Sequence, residues 1–490
     1  MARQQLGDCP QAGAVICHFG YHGSLSISVA IRRARSNNRL VYPRKGDTSL
    51  RSRSRRRPRA AAIGIAFAVV LVGGAAIFAA HHPHTGAAGT LAKTSSPAAV
   101  APPQGPQIAP AAIGIAPLQF GGSVHSYVLM DTRTGQILSE SNQNVQIAPA
   151  SLAKMMTFDL ALRALQSGTI QLNQSVPLGP GVRTLSRTPG ISHMYLDLPP
   201  AATVQFKDLM LGMMVDSGND AALAVAEAVG GPQTQFVAMM NAEAAKLGMT
   251  RTHFVNTNGL PGTGQVTTAL DMAILARHIV LTYPTLYAQF TDVPQFTWNP
   301  PGPGQHPITV ANYNHLVGVD PAVTGMKSGY LGSSGAHLVT TASQNNTELV
   351  GVVMGVPGPQ SAAIDASAQL SQQLLAWGFN NFQDTQVQWG RDLPQTGVRV
   401  WKGKNPQLAL TVRAAPWVVV RRPAGTLRAQ VSLPKYRVAP VASGQQVGSI
   451  RLLEGKTTVA QTPIAAAAGD PRAGLFGVLW GDFRLWLQHL

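Results

Sequence analysis

Three short runs in this 490-residue sequence hold side chains able to perform acyl transfer. The first is Ser151-Leu152-Ala153-Lys154, in a stretch whose composition and apolar spacing are helical from Ser151 to Leu165. A helix puts residues three apart on one face, so the Ser151 hydroxyl and the Lys154 amine become neighbours. A serine hydroxyl is a poor nucleophile until a base takes its proton, and lysine is a base only when its ammonium is destabilised. The positive end of the helix dipole and a second cation both destabilise it, and Lys327 is a candidate for that cation. The same spacing recurs at Ser432-Leu433-Pro434-Lys435, where Pro434 and strand-like neighbours bar a helical turn.

The second run, Ser217-Gly218-Asn219, falls in a loop between two predicted helices. A serine there can relay a proton, and the Asn amide can orient a peptide backbone. Alone, S-x-N says little, because Ser36-Asn37-Asn38 and Ser343-Gln344-Asn345 also fit and either residue could simply cap a helix. The third run, Lys327-Ser328-Gly329, is the only K-[ST]-G in the chain and precedes a predicted strand. A cation and a hydroxyl beside a residue without a side chain suit a carboxylate approaching the backbone. In isolation the run would be a surface turn.

The elements that must position these runs can be read from periodicity. Residues 123–130 (SVHSYVLM) form a strand, DTRTG a turn closed by Gly135, and QILSE a return strand. In the Ser151 helix, Leu152, Met155, Met156, Leu160 and Leu165 line one buried face. Further helices are expected at 206–214, 220–229, 232–247, 268–282 and 361–376, with strands GAHLVTTASQ and ELVGVVMGV after Gly329. A hairpin, a helical middle and closing strands imply a sheet with helices packed on it, spanning 118–380. From 385 to 470 helical signals fade into short strands such as PWVVVRR and LRAQVSL, a separate small β domain. In 472–490, Leu475, Phe476, Leu479, Trp480, Phe483, Trp486, Leu487 and Leu490 share one arc opposite Arg484 and Gln488. That pattern suits an amphipathic helix on a membrane surface, with docking on the protein itself as the alternative.

Charge and hydropathy bound the remaining chain. Of the net charge of +17, about +11 lies in residues 1–59, so the folded part is only mildly basic and a nucleic-acid partner is not expected. The basic block ends in Arg51, Arg53, Arg55, Arg56, Arg57 and Arg59, directly before the uncharged run Ala60–Ala80. Twenty-one residues at about 1.5 Å each span a bilayer's hydrocarbon core, and the Arg cluster predicts a cytoplasmic tail 1–59 with everything after 81 exported. A retained transmembrane anchor and a cleaved signal peptide, with Gly74-Ala75-Ala76 as its site, remain equal readings of 60–80. Residues 1–50 lack periodicity and fit a start assigned upstream of the true one. Residues 81–117 are an Ala/Pro/Gly/Ser/Thr linker, in which His81, His82 and His84 read as a solvated patch rather than a metal site. Both cysteines, Cys9 and Cys17, precede the apolar run, which leaves the exported part without disulfides or thiolate metal sites.

Taken in order, Ser151 with Lys154, then Ser217 with Asn219, then Lys327-Ser328-Gly329, the chain resembles the low-molecular-mass penicillin-binding proteins. These are the D-alanyl-D-alanine carboxypeptidases of peptidase family S11, which share a serine acyltransferase fold with the β-lactamases. Ala148-Pro149-Ala150-Ser151, SGNDAA at 217–222, FVNTNGL at 254–260 and VTGMKSGY at 323–330 fit as well. The resemblance covers 120–375 strongly and 385–490 more weakly. It implies an α/β (α+β) catalytic domain of the β-lactamase/transpeptidase type, a β pedestal and no metal or cofactor. Ser151 would be acylated by the penultimate D-alanine of a peptidoglycan pentapeptide, with Lys154 as general base and Ser217 and Lys327 assisting proton transfer. Asn219 would hold the peptide and Ser328, where the family usually has Thr, its terminal carboxylate. The backbone N–H groups of Ser151 and Tyr330, the latter often His in the family, would form the oxyanion hole. β-Lactams would acylate the same serine, and both chain ends would touch the inner membrane with the catalytic domain in the periplasm. A class A β-lactamase would need a Glu in E-x-x-L-N, which is missing, and usually has Asp where Gly218 stands. An endopeptidase of the family would generally lack the β domain, and an inactive scaffold would not need every motif residue.

Overall fold

In the computed structural model, the described residues are the backbone of 17–19 and 25–28, then 115–116, 118–301, 306–387, 397–412, 417–423 and 425–487. The apolar run 60–80 and most of the flanking tail and linker lie outside them. No helix of the described residues is long and apolar enough to cross a membrane.

The catalytic half is built on a five-stranded antiparallel sheet in the order Ile137–Ser141, Ser126–Asp131, Thr347–Val356, Gly335–Gln344, Val323–Leu331. Its central strands are buried on both faces, which is why they read as continuous apolar runs rather than alternating ones. Val128, Met130, Val350, Val352 and Met354 face one core, with the helices 154–166, 206–214, 219–230, 233–247 and 269–282. Tyr127, Leu129, Leu349 and Val353 face the other, beneath helix Gln360–Asn381. Gly378 lets that helix lie close, since a Cβ there would meet Leu129 and Leu349 at 2.7 Å. Fully buried Phe158, Phe206, Phe236, Phe254 and Phe290 fill the helical core, each contributing about 1.5–3 kcal/mol by burial.

The expected helices recur within a residue or two at most ends, although 361–376 extends to Gln360–Asn381. Three features differ. Ser151 lies in a 3-10 turn, Ala150–Ala153, which leads into the α-helix at Lys154. Lys327-Ser328-Gly329 precedes the expected strand Gly335–Gln344 but itself sits within a further strand, the edge strand Val323–Leu331. Helix Pro180–Arg187 was not expected at all.

The C-terminal half is all β. Its largest sheet runs in the order Leu25–Ser28, Leu427–Ser432, Gln446–Glu454, Thr457–Ala466, Leu410–Val412, with Cys17–Phe19 outside Leu25–Ser28. This backbone pairing sets 25–28 beside the β domain strand Leu427–Ser432, with 17–19 paired to 25–28. Ser432 ends a strand, so its spacing to Lys435 forms no helical face. Arg133 lies 4.3 Å over the Trp417 ring and 3.1 Å from Asp384, and Gln136 donates to the Val459 carbonyl, joining the catalytic hairpin to the β domain. Helix Leu475–Leu487 follows, with Leu475, Phe476, Leu479, Trp480 and Phe483 exposed.

Candidate active site

The Lys154 amine is fully buried and lies 3.0 Å from Ser151 Oγ, 2.9 Å from Asn219 Oδ1 and 2.8 Å from the Asn258 carbonyl. Burial first, and then the nearby Lys327 cation, hold its pKa well below the usual lysine value, although Asp220 and Asp216 oppose this. A neutral amine has two N–H groups and one lone pair. The two carbonyl oxygens can only accept, so they take the N–H groups and leave the lone pair facing the Ser151 hydroxyl. In its neutral form the base is therefore aimed at Ser151.

The orientation of Asn219 is settled by its other end, where Nδ2 donates to the Ser192 carbonyl at 2.7 Å. Both ends of the amide thus bond within the protein. Asn219 thereby positions Lys154, while its second N–H and second lone pair remain available to a peptide, the role expected from the motif. The neighbouring Asp220 carboxylate, fully buried, accepts from the backbone N–H groups of Met194, Leu196 and Ala221 and pins the 192–196 segment against the second motif.

The nucleophile turn is clamped between two glycines. A Cβ at Gly329 would stand 2.9 Å from the Ser151 backbone nitrogen, so the missing side chain keeps the space before that N–H open. A Cβ at Gly259 would stand 1.7 Å from the Ala150 carbonyl oxygen, and Gly259 has φ +89°. Ala150 and Ser217 themselves adopt left-handed φ values of 49° and 59°, conformations that cost about 1–3 kcal/mol and must be held by their surroundings. Buried Lys327 has its pKa lowered to about 7 by desolvation, against the attraction of Asp216. Asp216 is raised to about 7 by burial and by Asp220. Ser217 and Ser328 are buried nearby in sequence to these groups, and the Tyr330 hydroxyl donates to the Gly358 carbonyl.

A model of the D-alanyl-D-alanine carboxypeptidases matches residues 119–358, and the C-terminal domain of penicillin-binding protein 5 matches 386–472. The D-alanyl-D-alanine carboxypeptidase DacD of Salmonella typhimurium is 32% identical over 383 residues, covering 77% of this chain and 94% of its own. The chain belongs to the D-alanyl-D-alanine carboxypeptidase family, the S11 serine hydrolases. DacA of Haemophilus influenzae is 33% identical over 383 residues, 77% of this chain and 92% of its own. The crystal structure of penicillin-binding protein 5 from that organism superposes with a TM-score of 0.65 at 31% identity, covering 73% of this chain and all of its own. Penicillin-binding protein 6B of Escherichia coli does so at 0.57 and 31%, over 71% and 97%. The α/β catalytic fold with an all-β C-terminal domain is therefore the family's, as the motifs implied.

Sequence reasoning missed Asp216, Asp220, Asn258 and Gly259. The stretches SGNDAA and FVNTNGL marked their neighbourhoods, but which atom meets Lys154 follows only from the fold.

Proposed function

We propose that this carboxypeptidase removes the terminal D-alanine from peptidoglycan pentapeptides through an acyl-enzyme on Ser151. The carrying observation is the amine of buried Lys154, its pKa lowered by burial, 3.0 Å from the Ser151 hydroxyl. As Ser151 Oγ bonds to the carbonyl carbon between the two D-alanines, its proton passes to Lys154. The C–N bond then breaks, and the departing D-alanine amine takes a proton back through Lys154, with Ser217 and Lys327 assisting. The Ser151 and Tyr330 N–H groups stabilise the oxyanion, and Ser328 with Lys327 takes the terminal carboxylate. Water hydrolyses the ester, and β-lactams acylate the same serine. The C-terminal β domain favours this reading over an endopeptidase.

The enzyme works in the periplasm at the inner membrane, exported by the apolar run 60–80, which if retained anchors the chain at that end too. The exposed Leu475, Phe476, Leu479, Trp480 and Phe483 form the apolar side of an amphipathic helix on the bilayer surface. Release of D-alanine from a peptide ending in D-Ala-D-Ala tests the chemistry. Loss of release in Ser151→Ala is expected, and unchanged release would remove Ser151 from its role.

A further inference from the structure

Behind the nucleophile, three helices bring together a cluster that the acyl chemistry does not use. Asp159 lies on the nucleophile helix Lys154–Gln166, Glu243 on Gln233–Leu247 and His278 on Ala269–Thr282. One ligand atom from each falls within 4.8 Å of the others. Asp159 is 1% exposed, and neither of its carboxylate oxygens has an aligned hydrogen-bond donor among the described residues. His278 Nε2 stands 3.3 Å from Asp159 Oδ1, near enough to pair but not aligned as a hydrogen bond. The nearby cations are spent elsewhere: Arg163 and Lys246 bind the two oxygens of Glu243 at 2.6 and 3.0 Å. A buried carboxylate with no aligned donor on either oxygen is costly.

We propose that Asp159, Glu243 and His278 form a divalent-cation site, zinc in class, that staples the nucleophile helix to the two helices behind it. One imidazole nitrogen and two carboxylate oxygens are a ligand set that zinc accepts, with water in the fourth position. Zinc bonds of about 2.0–2.2 Å require ligand atoms roughly 3.3–3.5 Å apart, so the cluster contracts on binding by side-chain rotation. Arg163 and Lys246 remain on the outer lone pairs of Glu243 and orient it, as hydrogen-bonded partners of ligating carboxylates do. The ion supplies both Asp159 oxygens with a positive charge that His278 meets only at Oδ1 and without hydrogen-bond alignment. Its role is to brace the helix that begins beside Ser151 and holds Lys154, not to take part in the reaction.

The test uses the full chain, stripped with chelator, loaded with Zn(II), desalted, and measured for metal by mass spectrometry and for thermal unfolding. Wild type is expected to retain one zinc more than Asp159→Asn and than His278→Gln, and its Tm to rise by roughly 5 °C, a rise absent in both variants. Labelled-penicillin binding by both variants establishes that they are folded. Equal zinc in wild type and both folded variants would assign the ion elsewhere, His81, His82 and His84 included, and would overturn the proposal. So would a wild type that retains none.

Discussion

Gly329→Ala places one methyl group where the account says the oxyanion must go. The added Cβ would lie 2.9 Å from the Ser151 nitrogen, 3.2 Å from Ala150 Cβ and 3.3 Å from the Leu152 nitrogen. Ordinary contact begins near 3.4 Å, so about 0.5 Å must be found. The turn has little room to retreat, because Gly259 already presses on the Ala150 carbonyl from another side. An oxyanion hole needs its oxygen 2.7–3.1 Å from the donor, which is the distance the methyl would occupy. Loss of one such donor costs about 10²–10³-fold, and a shift of the turn would also disturb the 3.0 Å approach of Lys154 to Ser151. The second-order rate of acylation by a fluorescent penicillin should therefore fall by about 10²–10³-fold, while Tm changes by only a few degrees. An acylation rate within about 3-fold of wild type would refute the placement of the oxyanion hole at the Ser151 N–H.

Lys154→Met removes the base and should lower acylation by about 10³-fold, measured with the same probe. Asp216→Asn removes a charge that raises the pKa of both buried lysines, so the acid limb of the pH–rate profile should move to lower pH; an upward move would contradict the assigned electrostatics. Asp384 sits at the domain junction, where burial and Asp131 outweigh Arg133 and raise its pKa. The native state then holds a proton that the unfolded chain has lost, so stability declines as pH rises above about 4 through the raised native pKa. Asp384→Asn, which mimics the protonated acid, should therefore raise Tm at pH 8 more than at pH 5.

The parts of the fold legible in the sequence were those set by local periodicity. Helices 206–214 and 233–247 and the strands after Gly335 have long apolar patterns, and the three motifs kept their order. The strand Val323–Leu331 was hidden because VTGMKSGYL contains two glycines, a lysine and a serine where apolar residues would signal a strand. Those residues serve the site, since Lys327 is buried for its depressed pKa and Gly329 for its missing side chain. Helix Pro180–Arg187 is eight residues long and half polar, below the length at which periodicity speaks. Nothing in the identities of Ala150 or Ser217 foretells a left-handed backbone, which tertiary packing imposes. The contact of Asn219 with Lys154 was illegible for the same reason, because hydrogen bonds between residues 65 apart in sequence are decided only by the fold.

The most direct test of the account is the intact mass of the full chain after brief exposure to benzylpenicillin, with the adduct located by peptide mapping. The account predicts one penicilloyl group per chain, on the peptide containing Ser151, persisting for minutes and absent from Ser151→Ala. An adduct on another residue, or one that survives in Ser151→Ala, would contradict it.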